Sequence, residues 1–133
     1  IDILLSLTHS YCIPVLLYAT ESMSLTITEK RRLASSFQRL YFKMFTSFDP
    51  QTIAYCQFYT GYLPLDYMID LRFLKFLTKT ANTTNVFLNL LFSLNGNASI
   101  NNVCAKYQAN KKDISSVKNA MWNFFIHENK LNI

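Results

Sequence analysis

The sequence predicts an all-α fold, an irregular or orthogonal bundle of six to seven helices. Three observations predict it. Apolar residues recur at helical spacing in successive segments, no stretch sustains the polar–apolar alternation of a strand, and the two glycines and three prolines all read as helix punctuation. A length of 133 residues suits one compact domain, and a hydrophobic content of 50% is enough to build a core. Only 16% of the residues are charged, below the roughly one quarter usual in soluble domains. Part of the surface is therefore expected to depend on neighbours for cover.

The first segment, Ile3 to Thr20, has no formally charged side chain, and its length approaches the ~18–20 residues of a membrane span. Ser6, Thr8, His9, Ser10 and Tyr11 place a polar patch at its middle, and Pro14 interrupts the backbone ladder. It reads as a buried helix inside a protein rather than a span. It also lacks the basic flank and small-residue cleavage site of a signal peptide. Ile1 in place of Met leads us to expect a piece of a longer frame.

Thr26-Ile27-Thr28-Glu29 is a capping box that opens a second helix. Leu33, Phe37, Leu40 and Met44, with Tyr41 and Phe45 beside them, form its wide apolar stripe. Asp49-Pro50 reads as an N-cap followed by proline at the first helical position, and this helix is expected to stop at Gly61. Pro64 opens the next, to about Lys79, with Met68, Leu71, Leu74, Phe76 and Leu77 inward. Thr84 or Asn85 starts a helix over Val86–Leu94, so apolar that it is expected to be central and to end at Asn95-Gly96. The last begins at Asp113, with Ile114, Val117, Met121, Phe124 and Phe125 inward.

Composition shifts along the chain. All twelve asparagines lie at or after Asn82, while seven of the eight tyrosines lie before it. The expected division is 1–81 and an Asn-rich helical extension, 82–133. Net charge is +5, with eight Lys/Arg against six Asp/Glu in 1–81 and five against two in 82–133. This positive charge permits a polyanionic partner without requiring one. Cys12, Cys56 and Cys104 are odd in number and widely spaced, which argues against both a disulfide framework and a zinc knuckle and predicts buried thiols in a reducing compartment.

Catalytic constellations are absent from the sequence. Two isolated glycines make no phosphate loop, and His9 and His127 have no metal-binding spacing. His9 reads as a polar residue on an inner helix face rather than as a base for Cys12. Asp66 and Asp70 share a helix face, but their place in the first turns after Pro64 is explained by the helix dipole. Asp70 also lies near Arg72 and Lys75, where an ion pair can form. The glycosylation sequons at Asn82 and Asn97 read as chance matches. No catalytic residue, metal or cofactor is expected. The candidate binding residues are two cation stripes: Arg32, Arg39 and Lys43 on one helix, and Arg72, Lys75 and Lys79 on another. Either stripe can track a phosphate backbone or serve as a solvated helix face. Tyr41, Phe42, Tyr55 and Tyr59 are candidates for base stacking or, more simply, core.

In order, residues 10–79 resemble a known pattern. Tyr11, Pro14, Leu16, Tyr18 and Glu21 resemble the Y-x-x-P-x-L-x-Y-G-x-E segment just beyond the polymerase palm in reverse transcriptases of LINE-type (non-LTR) retrotransposons. The likeness continues through Arg32-Leu33, the run of Arg39, Lys43 and Phe45, then Cys56-Gln57-Phe58, Gly61-Tyr62-Leu63-Pro64 and Arg72-Phe73-Leu74-Lys75-Phe76. Ala19 departs from the glycine common there, and Met23 from an aromatic. The Phe/Tyr-Ala-Asp-Asp box of the family is missing, since the chain has no Asp-Asp. The resemblance implies a thumb and following helical region without the catalytic centre, located in the nucleus and cytoplasm. Its implied partners are an RNA or RNA–DNA duplex and the palm of the parent protein, with no membrane. The competing reading is a helical interaction or scaffolding module that binds no nucleic acid.

Overall fold

The computed structural model describes residues 1–110 and 112–133, and every regular element among them is helical. The fold is all-α, as expected. The N-terminal helix comprises α1 (Asp2–Leu7), a π turn (Thr8–Cys12) and α2 (Ile13–Leu16). Four longer helices and a short one follow: α3 (Ile27–Phe45), α4 (Pro50–Thr60), α5 (Leu65–Ala81), α6 (Val86–Lys106) and α7 (Ile114–Glu128). The chain divides into two compact units, Ile1–Ile69 and Asp70–Ile133. The division falls within α5, ahead of the compositional shift at Asn82.

In the first unit, Leu5, Ile13 and Leu17 meet Phe37 and Tyr41 of α3, Ile53 of α4, and Leu65 and Ile69 of α5. Local chemistry sets the helix limits. The Thr26 N–H donates to Glu29 Oε2 at 2.8 Å and the Glu29 N–H donates to Thr26 Oγ1 at 3.3 Å, which closes the capping box on α3. Asp49 caps α4 by accepting the Thr52 N–H at 2.9 Å. Gly61, at φ 75, ends it: the Tyr62 N–H reaches the Gln57 carbonyl and the Gly61 N–H that of Phe58, each at 3.1 Å. That paired closure needs a left-handed residue, which glycine adopts without a Cβ penalty. Thr46 ends α3 in the same region, at φ 51, with no glycine to announce it.

Two expectations for these helices are corrected. Pro14 interrupts the ladder, as expected, and it does not end the helix. It lacks an N–H and its ring crowds the carbonyl four residues back, so the turn before it widens to π spacing and the helix continues. Nor is that helix buried. Its inner face holds Leu5, Ile13 and Leu17, while Ile3, Leu7, Tyr11, Val15 and Tyr18 are exposed. No helix among the described residues is long and apolar enough to cross a membrane. On α3, Phe37 and Tyr41 lie at the centre of the buried face, and Leu40 is exposed at its margin.

In the second unit the buried apolar residues include Leu74 and Leu77 of α5, Ile100 and Val103 of α6, and Val117, Met121 and Phe125 of α7. Ile114 and Phe124 are half-buried. Asn85 caps α6, its Oδ1 accepting the N–H groups of Phe87 at 3.0 Å and Leu88 at 3.3 Å. The helix does not end at Asn95-Gly96 but continues to Lys106. Gly96 is helical and buried because the Phe92 ring lies across it, where an added Cβ would sit 2.2 Å from Phe92 Cδ2. Nor is the first half of α6 central: Val86, Phe87, Leu90, Leu91 and Leu94 are exposed. Apolar density alone does not say which way a face points.

Candidate nucleic-acid interface

The capping box fixes the start of α3, and from there a rotation of about 100° per residue sets every side chain. Arg32, Arg39 and Lys43 fall in an arc of about 40° by that rotation, well away from Phe37 and Tyr41, and all three are exposed. On α5, Lys75 and Lys79 are exposed. Arg72 is half-buried and already engaged with neighbours. The two cation sets belong to different units: Arg32, Arg39 and Lys43 to the first, Arg72, Lys75 and Lys79 to the second.

Lys75 and Lys79 border a surface cavity of about 560 Å³ with Thr78, Asn82, Thr83, Thr84 and Ile114. Its rim is ordered by its own hydrogen bonds. The Asn89 amide donates to the Thr83 carbonyl at 2.8 Å, and the Asn85 N–H donates to Thr83 Oγ1 at 3.4 Å. Two ammonium groups beside hydroxyl and amide donors suit phosphate oxygens, and nothing about them selects a base sequence. Among the proposed stacking residues, Tyr41 is fully buried in the core, and Phe42 and Tyr55 are half-buried. Tyr59 is 74% exposed and so presents its ring.

Several titratable groups make structural contacts. Asp70 is buried, and its Oδ2 accepts from Lys106 Nζ at 2.5 Å and from the Tyr107 hydroxyl at 2.6 Å. Asp70 thus has an ion pair with Lys106 of α6, which its neighbours in sequence did not announce. His9 is half-buried, stacks on Tyr62 with ring centroids 3.4 Å apart, and is hydrogen-bonded through Nε2 to the Tyr41 hydroxyl at 3.1 Å. Burial lowers the His9 pKa; burial first, and the nearby Tyr62 second, raise that of Tyr41. Cys12 is exposed, contrary to expectation, Cys56 is half-buried with its pKa raised by burial, and Cys104 is buried. No group of three metal-binding side chains occurs among the described residues.

The sequence reading passed over a second groove, of about 620 Å³, between Tyr107–Asn110 and the face of α7 carrying Ser116, Asn119, Ala120, Asn123 and His127. The spacing i, i+3, i+4, i+7, i+11 was the available signal. Compared with protein-family models, curated proteins and solved structures, the chain matches none.

Proposed function

We propose that this chain is the thumb and following helical region of a LINE-type reverse transcriptase, non-catalytic by itself, which grips a template-primer duplex through backbone phosphates. The observation that carries the reading is the ordered series of motifs across residues 10–79, in which Arg32, Arg39, Lys43, Arg72 and Lys75 recur at the family's spacing. The exposure of all of these but Arg72 gives it further support. A-form duplexes are held mainly by shape and backbone, so cations without base readout suit an RNA or RNA–DNA partner. On this reading the exposed stripe of Ile3, Leu7, Tyr11, Val15 and Tyr18 docks on the palm of the parent protein, in the nucleus and cytoplasm. Replacing Lys75 and Lys79 together by alanine is expected to weaken binding to a labelled RNA–DNA hybrid about equally for unrelated sequences. Unchanged affinity would count against this assignment.

A second reading is a helical interaction module with no nucleic-acid role. The extent of exposed apolar surface favours it. Hybrid binding also separates the two, since this module gives none that depends on salt.

A further inference from the structure

The outer face of α6 has a pattern of its own. Phe87, Leu91, Leu94, Ala98, Asn101 and Ala105 follow one another at intervals of four, three, four, three and four residues, and all six are exposed. Alternating steps of four and three keep a seam on one side of a helix and suit it to a facing helix. Phe87, Leu91 and Leu94 are 67%, 49% and 69% exposed, and the inner face of Phe92, Gly96, Ile100 and Val103 lies opposite. We propose that this seam pairs with the same seam of a second copy of this chain, the two α6 helices running antiparallel about a twofold axis.

Three properties of the seam select a second copy. First, it is uncharged: from Thr80 to Ala105 there is no Lys, Arg, Asp or Glu. A chain of net charge +5 meets least self-repulsion there, and a charged partner finds nothing to steer it. The missing cations also disfavour an anionic lipid surface.

Second, bulk is graded along it. Phe, Leu and Leu occupy the first half, and Ala, Asn and Ala the second. With the twofold at Gly96, Phe87 faces Ala105, Leu91 faces Asn101 and Leu94 faces Ala98, so large opposes small at each level. A parallel pair sets large on large at one end and leaves a gap at the other. Antiparallel pairing fills both ends and opposes the helix dipoles. Third, the area is of the right order. Phe87, Leu91 and Leu94, with Leu90 at the margin of the seam, each expose on the order of 100 Å², and the exposed Ala98, Asn101 and Ala105 add smaller areas. Two copies then bury on the order of 1,000 Å², about the threshold for a specific pair.

Sedimentation of the whole chain tests the proposal. The expected result is a concentration-dependent species of twice 15.5 kDa, insensitive to moderate salt. Leu94→Lys and Ala98→Glu should each weaken pairing on the order of 100-fold, by setting a charge into the apolar seam, with helix content by circular dichroism unchanged. Mixing those two variants should restore the pair, because the introduced charges then oppose each other across the twofold. Val15→Lys, on the other exposed stripe, should leave it intact. A monomer at every concentration overturns the proposal, and so does pairing lost with Val15→Lys but kept with Leu94→Lys. If the mixed variants stay monomeric, the antiparallel arrangement is wrong. If neutral lipid vesicles capture the chain through Leu94 while it stays monomeric in solution, the seam's occupant is a membrane surface.

Discussion

Asp70 shows how a buried carboxylate is accommodated at the scale of one residue. Lys106 and Tyr107, which reach it, come from one turn where α6 ends. The Tyr107 contact is buried, whereas about half of the Lys106 side chain is in water. Tyr107→Phe should therefore cost about 1 kcal/mol and Asp70→Ala about 2 kcal/mol. Lys106→Ala should cost less than about 1 kcal/mol, its charge being screened. Urea midpoints check the order, and a larger loss for Lys106→Ala than for Tyr107→Phe would reverse this account. His9 carries a pH dependence of known sign. Burial lowers its folded pKa below 6.5, so the unfolded chain binds the proton more readily and protonation favours unfolding. Its share of stability is complete above about pH 7 and is lost as pH falls through 6.5 toward the folded value. His9→Gln should flatten the midpoint-versus-pH curve in that window, and an unchanged slope would assign the dependence to another group. The inward face of His9 was legible from its apolar surroundings. The contact of Asp70 with Lys106 was not, because the two lie 36 residues apart and helix periodicity speaks only to neighbours three and four apart.

Among the elements, what could be read was local. Thr26 with Glu29, Asp49 with Pro50, and Gly61 announced three helix limits through chemistry confined to a few residues, and the structure has all three. Pro14 and Gly96 both lie within helices, although proline and glycine are usual breakers. One is absorbed by a π turn, and the other makes room for the Phe92 ring. Gly96→Ala is a sharp test, since two effects oppose. Alanine gains about 1 kcal/mol of helix propensity, but its Cβ lands 2.2 Å from Phe92 Cδ2 and 2.7 Å from Cγ. Overpacking of that kind costs about 1–3 kcal/mol, so the expected net is a loss of about 1 kcal/mol in thermal or urea denaturation. In a Phe92→Leu background the sign should turn, because propensity then acts unopposed. A stabilising Gly96→Ala in the parent chain would mean the ring moves aside freely.

At the scale of the molecule, the Asn-rich composition begins at Asn82, but the compact units meet at Ile69–Asp70. Composition follows residue type, while the units follow contacts such as that of Asp70 with α6, which no compositional count contains. The candidate cations were legible as stripes because exposed faces repeat at the helical period. That Arg72 is half-buried and Lys79 lines a cavity was not, because both depend on residues distant in sequence. The proposed grip on a phosphate backbone has counterion release as its signature. The affinity of the whole chain for a labelled RNA–DNA hybrid, measured across a salt series, tests it most directly. The prediction is a linear fall of log affinity with log salt, each lost phosphate contact reducing the slope by roughly one. Arg32→Ala, Arg39→Ala and Lys43→Ala combined should lower the slope by about two to three on that basis. A hybrid affinity that does not change with salt, or a slope those substitutions leave untouched, would contradict it.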